Sequence, residues 1–294
     1  MNIIAANAPV SWGVMEVDGF SQPIPPGIFL DELSSAGYTG TELGPYGYLP
    51  TDAALLRLEL SGRSLALISA FVPLPLKEPN ADLAAVSRTG KLLAALGARH
   101  MVLADAMWPE REAIAGRVPD SGCRLHKEDW RVVADNIERA VASAAALDLR
   151  CVFHHHAGTY IETPDEIAQL LELTALGLCL DTGHFVYGGG DPVDAVRQYG
   201  PRVEYLHFKD VDAARLAGCR TQGLGFLDAV RAGVFCPLGK GCVRFPELLK
   251  ELDKIGYRGW AVVEQDMDPS AAAAQPPLQS AIASRQFLRD TLGI

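Results

Sequence analysis

Apolar residues in this chain gather into short, nearly unbroken runs that recur at a steady interval. Eight runs predict strands: IIAANA (3–8), TGTEL (39–43), LALISAFV (65–72), HMVLAD (100–105), CVFHHH (151–156), GLCLD (177–181), VEYLHF (203–208) and WAVVEQ (260–265). Most are continuous rather than alternating, as parallel strands covered on both faces are. Helices are predicted at about 26–36, 52–61, 80–96, 127–147, 164–173, 191–199, 244–254 and 277–291. Thr163-Pro164 followed by Asp165 and Glu166 supplies a cap, a first-turn proline and N-terminal acids, and Asp191-Pro192 repeats the signal. Gly37, Gly97 and Gly256 each follow a helical run, as C-terminal caps do. Eight strand–helix alternations predict a (β/α)₈ barrel in one domain over 1–294. Two stretches exceed that minimal pattern, at about 106–126 and 211–243. Both follow strands, so both are expected over the C-terminal face, as lids, substrate walls or oligomer contacts. AAAAQPP (272–277) reads as a surface loop before the last helix.

Four of the runs end in a side chain able to bind a metal: His154, Asp181, His207 and Glu264. They are separated by 27, 26 and 57 residues, against roughly 30 residues for one strand-plus-helix unit. The spacings are therefore one unit, one unit and two. Active sites of such barrels lie where the strand C-termini converge, so two imidazoles and two carboxylates meeting there predict a divalent-metal centre. A carboxylate after LCL is costly to bury unless it is paired, caps a helix or holds a metal. Lys209-Asp210 after His207, and Gln265-Asp266 after Glu264, add polar groups at the same ends. In His154-His155-His156, alternation sends the first and third one way and the second the other, unless the run marks a loop edge. Nearer the N-terminus, Trp12, Tyr46 and Tyr48 are candidates to stack on a polyhydroxylated ring or simply to pack in loops. Glu42 is a candidate substrate contact or a turn residue.

Composition narrows the class. The chain has 294 residues, 49% of them hydrophobic, and a net charge of −10 with no long basic run. Nucleic-acid binding, which needs a dense Lys/Arg face, is not expected. No apolar run approaches the roughly 20 residues that span a bilayer, and MNIIAANAPVSWG lacks signal-peptide features. Six cysteines without a C-x-x-C pair suggest reduced thiols and a cytoplasmic setting.

HFKD at the seventh run, LDTGH at the sixth and the glutamate of the last resemble the xylose isomerase-like superfamily of metal-dependent barrels. Within it, APVSWGV (8–14), ELGPYGYLP (42–50), HHHAGT (154–159), LDTGHFVYGGGDP (180–192), HFKDVD (207–212) and VVEQD (262–266) are similar to the inosose dehydratase family. The resemblance implies a hydro-lyase of inositol catabolism that removes water from 2-keto-myo-inositol through an enediolate. It also implies ligands in the order Glu, Asp, His, Glu. Asp181, His207 and Glu264 match the last three; His154 stands where a glutamate is common, with His156 as the alternative. Manganese or cobalt is the implied ion, and this donor set also admits zinc or iron. Lys209 would hold the enediolate. A protonated His156 or His184 would serve the departing hydroxyl, and Glu42 or Lys209 could take part in proton transfer. A ketose epimerase or isomerase, and an apurinic-site endonuclease-like hydrolase, are the rival expectations. The expected partner is a small polyhydroxylated ketone, with no membrane and a possible homo-oligomer.

Overall fold

The computed structural model describes residues 2–17, 19–20, 22–118, 122–270 and 276–294. Most of the loop expected at 272–277, and 119–121 of the first insertion, lie outside these. The strands are β1 (Asn2–Asn7), β2 (Gly40–Glu42), β3 (Ala66–Ser69), β4 (Phe71–Leu74), β5 (His100–Asp105), β6 (Arg150–His154), β7 (Gly177–Asp181), β8 (Val203–Phe208), β9 (Asp210–Val211), β10 (Phe235–Cys236) and β11 (Arg258–Val263). Nine of them form one sheet in the order β3-β2-β1-β11-β8-β7-β6-β5-β4, and every pairing in it is parallel. The two edges, β3 and β4, are halves of a single run broken only at Ala70. Ser69 accepts from Leu43 N–H on one side, and Ala70 accepts from Val102 N–H on the other. The sheet therefore closes on itself as the expected eight-run barrel, with its third run kinked.

The helices are α1 (Pro26–Ser35), α2 (Ala53–Ser61), α3 (Ala84–Leu96), α4 (Pro109–Glu112), α5 (Lys127–Ala145), α6 (Pro164–Leu173), α7 (Thr182–Tyr187), α8 (Pro192–Tyr199), α9 (Ala213–Gln222), α10 (Phe226–Arg231), α11 (Phe245–Lys254) and α12 (Pro277–Phe287). Thr163 and Glu166 form the reciprocal cap of α6, and Asp191 caps α8. Alternation divides each strand between two cores. Phe153, Leu178, Leu180, Leu206, Phe208, Ala261 and Val263 face the helices. Ala6, Ala8, Ile68, Val102, Val152, Cys179, Tyr205 and Val262 fill the barrel.

The insertions supply α4, α9 and α10 and pack on each other. Leu227 N–H donates to Glu112 Oε1 at 3.0 Å, and Arg117 donates to the Leu224 carbonyl at 2.6 Å. Arg111 ties the first insertion to α6. Its buried guanidinium grips Glu166 with two bonds of 2.7 and 2.9 Å, and Glu162 lies 4.0 Å away. Glu162 in turn accepts from the Gly116 and Gly158 N–H groups at 2.6 and 2.8 Å. Arg111→Ala would strand two buried carboxylates. Removing one partner of a buried ion pair costs about 3–5 kcal/mol, so the urea midpoint is expected to fall accordingly; an unchanged midpoint would show the pair to be irrelevant to stability.

Candidate metal centre

The inward parity of the barrel strands continues past the apolar core into polar groups. On β6, Val152 is followed two residues later by His154, then His156; on β7, Cys179 by Asp181. On β8, Tyr205 is followed by His207 and Lys209; on β11, Val262 by Glu264 and Asp266. Each step of two keeps the same face. Pairing of Ala104 with His154 and of Asp181 with His207 holds these ends level. Glu42 joins them from β2, where a register shift sets it opposite Ser69. A small cavity is lined by Glu16, Glu42, Phe71, His154, His156, Lys209, Glu264 and Asp266, together with Ala8, Pro9, Val10, Val14, Met15 and Gly44.

His207 Nδ1 lies 3.3 Å from Glu264 Oε2 and 3.8 Å from Asp181 Oδ2. Ligands sharing one ion at about 2.1 Å stand roughly 3–3.6 Å apart, so His207 and Glu264 are already at that spacing, whereas Asp181 stands farther off and would have to move toward them. His207 Nδ1 and His154 Nδ1 are also buried without a hydrogen-bond partner. That is unusual for buried polar atoms and is what a ligand set looks like before its ion. Asp181 has a second duty, since its Oδ1 accepts from His184 N–H at 2.8 Å and caps α7. Three residue groups place ligand atoms within 4.8 Å of one another: Glu42–His207–Glu264, His154–Cys179–His207 and His154–His156–His184.

Four carboxylates, Glu42, Asp181, Glu264 and Asp266, are buried here, the last three around one ammonium. Lys209 Nζ sits 2.8 Å from Asp266, 3.0 Å from Glu264, 3.2 Å from Asp181 and 2.9 Å from His184 Nε2. Burial opposes its charge, but Asp181, Asp266 and Glu264 outweigh that and push its pKa up, so it stays an ammonium. Gly183 makes room for it: a β-carbon there would stand 2.5 Å from Lys209 Cγ. Burial also works against the Glu264 carboxylate, yet His207 and Lys209 hold its pKa well below the usual range. For Asp266 burial wins over Lys209 and lifts the carboxyl to about 6. A divalent ion would relieve this excess of negative charge.

The imidazoles differ from the expectation of a protonated acid. Burial first, then the charge of Lys209, pushes His156 down to about 3, so it is neutral near pH 7. Its Nδ1 lies 2.7 Å from the Ala157 carbonyl, to which it donates, leaving Nε2 as a proton acceptor. Burial and His156 lower His184 likewise. His155 faces away from the cavity; its Nε2 accepts from Asp181 N–H at 3.3 Å and its ring meets Phe185 edge-on.

The three aromatic candidates for ring stacking are elsewhere. After β1 the chain turns into a short 3-10 segment, Pro9–Trp12, so strand alternation no longer aims the indole inward. Trp12 is buried against Phe29 and donates to Glu32 at 2.6 Å. Tyr46 is exposed under the Arg88 guanidinium on the outer surface. Tyr48 packs near Phe29 and lines a neighbouring cavity with Val14 and Met15. The aromatic walls come instead from Phe71, just past the kink at Ala70, and from the second insertion. Phe226 lies 5.1 Å from His156 and 5.7 Å from His184, and Phe235 lies 5.6 Å from His184. Asp266 could have been found by stepping on two residues from Glu264; Phe226 and Phe235 carry no periodic signal.

Comparison with known proteins agrees with this architecture. The family described as xylose isomerase-like TIM barrel matches residues 30–291. The chain belongs to this family. The rhizopine catabolism protein MocC of Rhizobium meliloti is 36% identical over 276 residues, covering 92% of this chain and 84% of its own. An inosose dehydratase of Geobacillus thermodenitrificans is 31% identical over 296 residues, covering 98% and 96%. The resemblance to inosose dehydratases read from HHHAGT and LDTGH is thereby supported along nearly the whole chain, as is the expectation of a dehydratase. Among solved structures, an IolI protein with a binding zinc atom superposes with a TM-score of 0.71 at 12% identity, over 98% of this chain and 97% of that one. At that identity the likeness speaks for the barrel alone. Among the described residues, no helix is long and apolar enough to cross a membrane.

Proposed function

We propose that this family member is a metal-dependent hydro-lyase that dehydrates a ring-shaped polyhydroxylated ketone, 2-keto-myo-inositol being the first candidate. The reading is carried by the burial of three carboxylates around one ammonium beside an imidazole whose Nε2 is left to accept a proton. Asp181, His207 and Glu264 would hold the ion, with His154 beside them. When bound, the ion supplies Lewis-acid polarisation of the ketone; manganese or cobalt is proposed, and the mixed N/O donors also suit zinc or iron. His156 Nε2 takes the proton α to the carbonyl, and that C–H electron pair becomes the enediolate double bond. The Lys209 ammonium stabilises the charge that develops on the enediolate oxygen. Expulsion of the β-hydroxyl then draws the electron pair back, and the His156 imidazolium returns its proton to the departing group, which leaves as water. The proton stays within the site, and Phe226 covers one side of that imidazole.

The test is direct. Purified protein given 2-keto-myo-inositol should generate the ultraviolet absorbance of the unsaturated dione. Chelator should abolish it, and manganese or cobalt should restore it. Turnover that resists chelation would remove the metal from the reading. A saturated epimer in place of the dione would assign the chain to epimerase chemistry, in which the proton returns to carbon.

A further inference from the structure

We infer that Glu42, Ser69 and Tyr205 form a positioning column that fixes which nitrogen of His207 faces the ion; this rests on the metal-centre reading above. Glu42 Oε1 accepts from His207 Nε2–H at 3.0 Å and from the Ser69 hydroxyl at 2.8 Å. The Ser69 hydrogen being committed to the carboxylate, the Tyr205 hydroxyl donates to Ser69 Oγ, 2.7 Å away. All four residues are buried. The column descends the barrel axis from the active face and ends with the Tyr205 ring against His100 at 5.3 Å.

Its members come from three strands and depend on local irregularities. The register shift between β2 and β3 places Glu42 opposite Ser69, and a second shift, between β7 and β8, pairs Cys179 with Tyr205. The barrel interior is otherwise apolar, filled by Ala6, Ala8, Ile68, Val102, Val152 and Val262. Hydroxyls in such a place are costly unless each finds a partner, and here each does. The consequence falls on the imidazole. A histidine that binds an ion through one nitrogen keeps its proton on the other. With Nε2–H given to Glu42, Nδ1 is the nitrogen left to bind, and it stands near Glu264 and Asp181. A carboxylate behind a ligating histidine fixes its tautomer and ring angle and raises its basicity. Glu42 is thus a positioning residue behind the ligand set, although its carboxylate lies close enough to be counted among possible ligands. This revises the candidate role of Glu42 as a substrate contact or proton-transfer group.

The test measures Mn²⁺ affinity by calorimetry on the full chain as wild type, Glu42→Gln, Ser69→Ala and Asp181→Asn. In the zinc-loaded proteins it also follows the downfield, exchange-protected proton of His207 Nε2–H by NMR. Glu42→Gln is nearly isosteric, and Ser69→Ala keeps the carboxylate, so the pair guards against misfolding. Glu42→Gln is expected to weaken Mn²⁺ binding by about 10–100-fold, the usual range for a residue behind a ligand, and to move the Nε2–H signal upfield. Ser69→Ala should move both readouts the same way by less. Unchanged affinity and signal in both variants overturn the inference. So does loss of binding in Glu42→Gln as complete as in Asp181→Asn, which would make Glu42 a ligand. If the wild type takes up no Mn²⁺, or Asp181→Asn binds it like wild type, the metal reading itself fails.

Discussion

Asp181→Asn is expected to lower kcat/KM by at least about 100-fold with little change in thermal stability. Loss of a residue behind a metal ligand already costs about 10–100-fold; loss of a ligand charge should cost more. The fold should survive because the two carboxylate oxygens are divided between tasks. Oδ1 caps α7 through His184 N–H, and asparagine caps helices as well as aspartate does. Oδ2 faces His207 and Lys209, and the substitution replaces it with an amide that cannot ligate through a negative oxygen. Metal content of the purified variant, its melting temperature and its turnover together decide the matter. Wild-type metal content with wild-type turnover would exclude Asp181 from the centre.

Lys209→Met should reduce kcat by about 10²–10³-fold, the range for deleting one preorganised charge-stabilising donor. Unlike Asp181→Asn, it should not weaken the ion. Removing the ammonium takes away the one positive group that Asp181, Glu264 and Asp266 share. Affinity for Mn²⁺ is therefore expected to hold or rise while turnover collapses, and the metal-free variant should melt lower than the metal-free wild type. Exchange of the substrate α-proton with deuterated solvent separates the roles. His156→Ala should stop exchange because the acceptor is gone. Lys209→Met should slow exchange and dehydration together, because both pass through the same charged enediolate. Normal turnover in both variants would leave the proposed proton path without residues.

Much of this centre was legible because strand geometry is periodic. Once Val152, Cys179, Tyr205 and Val262 are recognised as interior, steps of two reach His154, Asp181, His207 and Glu264 without any tertiary information. The helix starts at Thr163 and Asp191 were readable for a similarly local reason, since a cap is made by neighbours in sequence. Trp12 and Tyr46 failed as substrate contacts because they lie beyond the last ladder residue of their strands, where no period governs direction. Glu42 was recognised as notable, but its setting depends on a register shift against β3 that leaves no mark in a single strand. Burial and Lys209 lower the His156 pKa, so the imidazole is neutral at rest rather than protonated, a setting that its place in the sequence does not reveal.

The joined insertions have a consequence for how this scaffold can be altered. Phe226 and Phe235 belong to one of them, yet the elements carrying them are tethered through Glu112, Arg117 and Gly223 to the other. Residues of both also share a small apolar core, with Ala115 beside Leu216, Phe226 and Val230. The canopy over the proposed proton-transfer imidazole is therefore a module in two mutually dependent parts. Grafting only 211–243 from a relative would leave the Glu112 carboxylate and the Arg117 guanidinium facing foreign partners, whereas exchanging 106–126 and 211–243 together keeps these contacts within the exchanged parts, provided an arginine stands at 111 for Glu162 and Glu166. Altering which substrates fit under the canopy therefore calls for changing both parts at once.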